Sequence, residues 1–104
     1  MILMISTNIK SSHFKIENLF KSIFTDIPNI SISLNETSVA INHNDSSNSD
    51  AASLEIIETE DGYKISYWDG YSLAEVIEEA RLDKSLKIFK RLSKKLAKNL
   101  QRFS

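Results

Sequence analysis

Cysteine is absent from the 104 residues, proline occurs once, at Pro28, and glycine occurs only at Gly62 and Gly70. Without cysteine there is no disulfide framework, thiolate metal site or thiol nucleophile, and the cytoplasm is the expected compartment. Two isolated glycines cannot build a phosphate-cradling glycine loop. His13 and His43 are the only histidines and form no His-x-x-x-His spacing, so no metal is expected. Carboxylates are plentiful, but no His, Lys or Tyr pattern singles out one pair for general acid–base work. The chain is therefore not expected to be an enzyme, and it implies no cofactor and no small-molecule substrate. No apolar run approaches the roughly 20 residues of a membrane span. The N-terminal MILMI is too short for the apolar region of a signal peptide and lacks a basic start. Neither secretion nor membrane insertion is expected.

What is present is enough apolar sequence to fold, unevenly charged. Apolar residues make up 41% and charged residues 26%, the composition of one soluble globular domain spanning 1–104. The formal net charge of −1 is a cancellation. Residues 1–44 are balanced, residues 45–83 carry eleven acids against Lys64 and Arg81, and residues 84–104 carry eight bases and no acid. Such blocks either pair inside the fold or present separate patches to partners.

Hydrophobic periodicity gives the elements. Met1 to Thr7 reads as a short first strand. From Ser12, apolar residues Ile16, Leu19, Phe20, Ile23, Phe24 and Ile27 recur at helical steps until Pro28 closes the run. Ile30, Ile32 and Leu34, then Val39 and Ile41, alternate as a hairpin about Asn35-Glu36. Residues 42–53, NHNDSSNSDAAS, read as a flexible polar loop. Asp61-Gly62 suits a two-residue type I′ turn joining two further strands. That register pairs Glu60 with Tyr63, Glu58 with Ile65, Ile56 with Tyr67 and Leu54 with Asp69, so Leu54, Ile56, Ile65 and Tyr67 face the core. Glu55 and Trp68 fall on the opposite face.

After Asp69-Gly70, the sequence YSLAEV carries a helix-start signature, with Ser72 as N-cap, Glu75 completing a capping box, and Tyr71 stapled against Val76. The stripe of that helix is Leu73, Val76, Ile77 and Ala80, with Glu75, Glu78 and Glu79 outward. A last helix, capped by Asp83, has Leu86, Phe89, Leu92, Leu96, Leu100 and Phe103 inward and eight bases outward. The expected fold is α+β: an antiparallel sheet of four to five strands packed against an N-terminal helix and two C-terminal helices.

Two regions are candidates for partner binding. Glu55, Glu58, Glu60, Asp61, Trp68, Asp69, Glu75, Glu78 and Glu79 place an aromatic anchor among carboxylates, a composition suited to a basic protein surface. Lys87, Lys90, Arg91, Lys94, Lys98 and Arg102 of the last helix could instead track a phosphate backbone, giving a small nucleic-acid-binding regulator. A secretion-chaperone-like adaptor is a third possibility.

The stretch LEIIETEDGYKISYWDGYSLAEVIEEA, followed by a basic amphipathic helix, resembles the strand-turn-strand-helix-helix half of small immunity proteins from bacterial contact-dependent growth inhibition and related polymorphic-toxin systems. The resemblance covers roughly residues 53–104 and is one of layout, with no catalytic motif to match. It implies a cytoplasmic antitoxin that binds one cognate toxin domain, often a nuclease and here a ribonuclease by preference, and blocks its active site or an adjacent surface. A nucleic-acid partner is not implied.

Overall fold

The structure, a computed structural model, describes residues 8–44 and 51–102. The expected strand at Met1 to Thr7 and most of the expected polar loop, residues 45–50, lie outside the described residues. Within that loop range, residues 42 and 43 finish one strand and Ser53 opens the next.

A single 3₁₀ turn, Lys10–Ser12, leads into α1 (His13–Ile23). Five strands follow: β1 (Ile30–Leu34), β2 (Ser38–His43), β3 (Ser53–Thr59), β4 (Gly62–Trp68) and β5 (Leu73–Glu79). They form one antiparallel sheet in sequence order, each strand paired with the next, and α2 (Leu82–Arg102) closes the chain. The α+β class is as expected, but the helices number two among the described residues, not three.

The missing helix is β5. Its sequence, LAEVIEE, carries both a helical and a twofold reading, and the β-branched pair Val76-Ile77 favours the strand. A hairpin decides between them. Asp69 Oδ1 accepts the amides of Tyr71 at 2.8 Å and Ser72 at 2.9 Å, while the Asp69 amide reaches the Ser72 carbonyl at 3.1 Å. This Asx turn reverses the chain, with Gly70 at φ 101°, a left-handed conformation that glycine adopts without a side-chain clash. β5 then completes the hydrogen bonding of β4, which would otherwise be a long unpaired edge. The capping residue is thus Asp69, for a turn, not Ser72 for a helix. The anticipated stripe is correspondingly open: Leu73 is 56% exposed and Val76 44%, and only Ile77 packs against the core.

The turns also sit one residue away from their expected positions. Thr59 pairs with Gly62, so Glu60 and Asp61 are the two central residues, and neither has positive φ, which rules out type I′. Glu58 consequently pairs with Tyr63, Ile56 with Ile65 and Leu54 with Tyr67. Since this differs from the expected register by two in pairing sum, the faces do not exchange, and Leu54, Ile56, Ile65 and Tyr67 are fully buried. In the first hairpin the Asn35 amide reaches Ser38 O at 2.8 Å, making Glu36-Thr37 the turn.

Both helices contribute to one core on one side of the sheet. Ile16 of α1, together with Phe24 and Ile27 just after it, and Phe89, Leu92 and Leu96 of α2 meet Val39, Ile41, Leu54, Ile56, Ile65 and Tyr67. α1 stops at Ile23, short of Pro28, and Thr25 Oγ1 donates to the Lys21 carbonyl at its end. Inside α2, Ser85 and Ser93 are buried because each hydroxyl donates back, to Arg81 O and Phe89 O, both at 2.7 Å. Asp83 lies in the first turn of α2, where it grips the Arg81 guanidinium at 3.0 and 2.9 Å.

Tyr67 ties the helix to the sheet. Its ring is in the core, its hydroxyl is bonded by Asn99 Nδ2 at 2.5 Å, and Lys95 Nζ stands 5.8 Å from the ring centre. Burial raises the phenol above its ordinary pKa. Tyr67→Phe is expected to cost about 1 kcal/mol, because it leaves the Asn99 amide unpaired at a half-buried site while keeping the ring. Urea unfolding with an unchanged slope would register that loss as a lower midpoint.

Candidate protein-binding surface

The alternation of the strands sorts the carboxylates between two faces. Residues 54, 56 and 58 of β3, 63, 65 and 67 of β4, and 75, 77 and 79 of β5 share the helix-covered side, by their register. Glu55, Ile57, Lys64, Ser66, Trp68, Val76 and Glu78 belong to the other side, on which no described element packs. Trp68 is half-buried there, beside Ser53 and Leu73 in register, and not beneath a helix.

Five of the nine anticipated residues converge at one end of the sheet. Glu58 comes from the end of β3, Glu60 and Asp61 from the β3–β4 turn, and Glu78 and Glu79 from the end of β5. They border two shallow neighbouring hollows, of about 260 and 440 Å³, that share Thr59, Asp61, Tyr63 and Ala80. Desolvation and, next, the Glu58 charge raise the pKa of Tyr63, which marks how close the negative field comes to the hydroxyl. Two bases at this end have partners on the sheet or helix: Lys64 lies opposite Glu78 in register, and Arg81 is held by Asp83.

The convergence depends on glycine. Gly62 has φ 147°, and a Cβ there would stand 2.5 Å from Glu79 O and 2.6 Å from Ala80 Cα. Only a residue without a side chain lets the end of β5 lie against the β3–β4 turn, bringing Glu78 and Glu79 beside Glu60 and Asp61.

Some of the anticipated residues also have structural duties. Glu58 itself accepts the Ile9 amide at 2.6 Å, tying the segment before α1 to β3. Asp69 organises the β4–β5 turn, and its two backbone hydrogen bonds, from Ser72 and then Tyr71, hold its carboxyl below the ordinary range. Glu75, expected to point outward, lies on the helix side and bridges to Lys95 at 3.0 Å and Arg91 at 3.2 Å. The Lys95 and Arg91 hydrogen bonds lower its pKa. Part of the acidic block is therefore neutralised by part of the basic block within the fold. Glu55 and Trp68 remain on the open face, away from the acidic end.

Glu75 predicts a pH dependence. A carboxyl whose folded-state pKa is depressed contributes stability in full above its unfolded value, near 4.5, and loses it as pH falls through the lower folded value. Glu75→Gln is expected to lower the thermal midpoint slightly at neutral pH and to flatten its decline below about pH 4.5. The check is a midpoint-versus-pH series on both proteins. The neutral-pH effect should be small, because Arg91 and Lys95 are about half exposed (side chains 55% and 49%).

Residues Tyr71, Leu73 and Val76 were not anticipated as surface features. They are 87%, 56% and 44% exposed, and with Phe14 make up the large exposed apolar side chains among the described residues. The signal that could have found them is Asp69-x-x-Ser72, an Asx-turn spacing as much as a helix start.

Along α2, Lys84, Lys87, Lys90, Lys94 and Lys98 are exposed, with Arg91 and Lys95 engaged as above. His13 on α1 donates from Nε2 to the Asn35 carbonyl at 2.7 Å. Among the described residues no cluster of three or more His, Asp or Glu side chains could hold a metal ion, and no helix is long and apolar enough to cross a membrane. Comparison of the chain with protein-family models, with curated proteins and with solved structures returns no match.

Proposed function

We propose that this protein is an immunity protein that neutralises a cognate toxin domain, preferentially a ribonuclease, by covering its active site or an adjacent surface. The observation that carries the reading is the convergence of Glu58, Glu60, Asp61, Glu78 and Glu79 from three separate segments at one end of the sheet. A nuclease cleft is built from cations that receive phosphates, and an ordered group of carboxylates can occupy such a cleft. Opposite charge also accelerates encounter, which suits a protein that must intercept a toxin early.

The basic helix is compatible with this reading. α2 packs on one side of the sheet, and Glu55, Trp68 and Glu78 belong to the other. α2 begins two residues after Ala80 and runs away from the acidic end, so the bases from Lys87 onward recede from a partner seated there and are screened by salt, while Arg81 beside it is held by Asp83.

The test is growth rescue. Expression of the toxin reading frame adjacent to this gene should arrest bacterial growth, and co-expression of this chain should restore it. Glu60→Lys with Asp61→Lys should lose the rescue while remaining folded, because both positions are exposed turn residues with negative φ. Rescue by the doubly substituted chain at wild-type level would refute the acidic-end mechanism, and a harmless neighbouring product would remove the toxin reading.

A further inference from the structure

We infer that the free edge of β5 is a docking site for an extended, basic segment of the protein partner, which adds to the sheet as a sixth strand. The inference rests on the reading of a basic protein partner and adds how that partner is held.

Among the described residues β5 is an end strand, with β4 as its one neighbour in the sheet. Which of its backbone groups face outward follows from the hairpins. The two-residue turn at Glu60-Asp61 makes Thr59 and Gly62 a hydrogen-bonded pair, so the even-numbered residues of β4 bond to β3. The amide of Glu58 bonding Thr37 O at 2.8 Å confirms that the even-numbered residues of β3 bond to β2 instead. Tyr63, Ile65 and Tyr67 therefore bond to Glu79, Ile77 and Glu75. The alternation leaves the amides and carbonyls of Val76 and Glu78 directed along the free edge, and it stops at Ala74, where the register shifts between Tyr67 and Trp68.

The side chains define what fits. Edges are usually blunted by proline, by inward charges or by lysine. β5 has no proline and no lysine, its inward Glu75 is paired with Arg91 and Lys95, and it displays Leu73 and Val76 with Tyr71 just before it, three of the four large hydrophobic side chains exposed among the described residues. From Ile65 to Ala80 the chain carries four acids and no base. A second copy is a poor occupant: β5 paired with itself would line one seam with Glu75, Glu78 and Glu79 from both chains. A strand bearing Lys or Arg where it meets Glu78, and apolar side chains where it meets Val76, matches both features, with backbone hydrogen bonds supplying affinity along the edge.

Amide hydrogen exchange with a synthetic probe tests this without the toxin. The probe is an alternating Lys-Val peptide of about eight residues, long enough to span the edge, and the control is the Glu-Val peptide. In the free protein the amides of residues 76 and 78 should exchange faster than those of 75, 77 and 79. With Lys-Val peptide at about ten times its dissociation constant they should slow roughly tenfold, and the Glu-Val peptide should leave them unchanged. Val76→Pro removes one outward amide while leaving the β4 bonds of residues 75 and 77, and it should abolish the protection with the fold kept. If that variant does not fold, Val76→Lys, which sets a like charge against the probe, should weaken binding instead. The inference is overturned if the Lys-Val peptide fails to protect these two amides. It is equally overturned if they are already protected in the free chain, by its own N-terminal segment or by a second copy. Either failure leaves the growth-rescue result standing, since rescue reads the toxin and not the edge.

Discussion

Gly62→Ala is expected to cost about 3–5 kcal/mol, the sum of a strained left-handed backbone and a steric overlap that cannot relax. The added methyl would lie 2.5 Å from Glu79 O and 2.6 Å from Ala80 Cα, both main-chain atoms, so no rotamer change relieves it. Relief requires moving the end of β5 away from the β3–β4 turn, which breaks the pairing of Tyr63 with Glu79. For a domain of this size the thermal midpoint should fall by roughly 15–30 °C. Asp61→Ala, one residue earlier in the same turn, is the control. Asp61 is exposed and has negative φ, so its replacement should be nearly neutral. Equal midpoints for Gly62→Ala and Asp61→Ala would show that the close approach of β5 is not as described.

The second large effect concerns binding. Glu60→Lys, Asp61→Lys and Glu78→Gln together should weaken association with the toxin domain by a hundredfold to a thousandfold, about 3–4 kcal/mol. Like charges then face a basic cleft where opposite charges stood. Glu58 is left intact in this variant because it holds the Ile9 amide at 2.6 Å, so replacing it would mix stability with binding. The wild-type affinity should also fall as salt rises, since much of the attraction acts across solvent.

Much of the fold is legible in local sequence. The stripes at Ile16 to Ile27 and Leu86 to Leu100 locate α1 and α2, and the alternations at Ile30 to Ile41 and Leu54 to Tyr67 locate four strands with their buried face. The fifth strand is not legible, because Leu73, Val76, Ile77 and Ala80 fit a helical stripe and Ser72-x-x-Glu75 fits a capping box. What decides that segment is non-local: β4 needs a partner for its outward hydrogen bonds, and Asp69 folds the chain back to supply one. The same gap hid the candidate site. Glu58, Glu60 and Asp61 are close in sequence, but Glu78 and Glu79 join them only because β5 runs antiparallel to β4 and ends over Gly62. Read as a helix, that segment also buries Leu73 and Val76, which the strand leaves open. The position of Gly62 is a tertiary matter too. Asp-Gly suggests a turn centre, whereas here glycine begins β4 and is required by a strand seventeen residues on.

The central claim is that the acidic end recognises a basic toxin domain, and calorimetric titration tests it most directly. The protein and its Glu60→Lys/Asp61→Lys/Glu78→Gln variant are titrated in parallel into the purified domain encoded by the adjacent toxin reading frame, with thermal midpoints measured for both. The account predicts tight wild-type binding, a loss of at least roughly a hundredfold in the variant, and midpoints that agree within a few degrees. Equal affinities for the two proteins, with both folded, would contradict it.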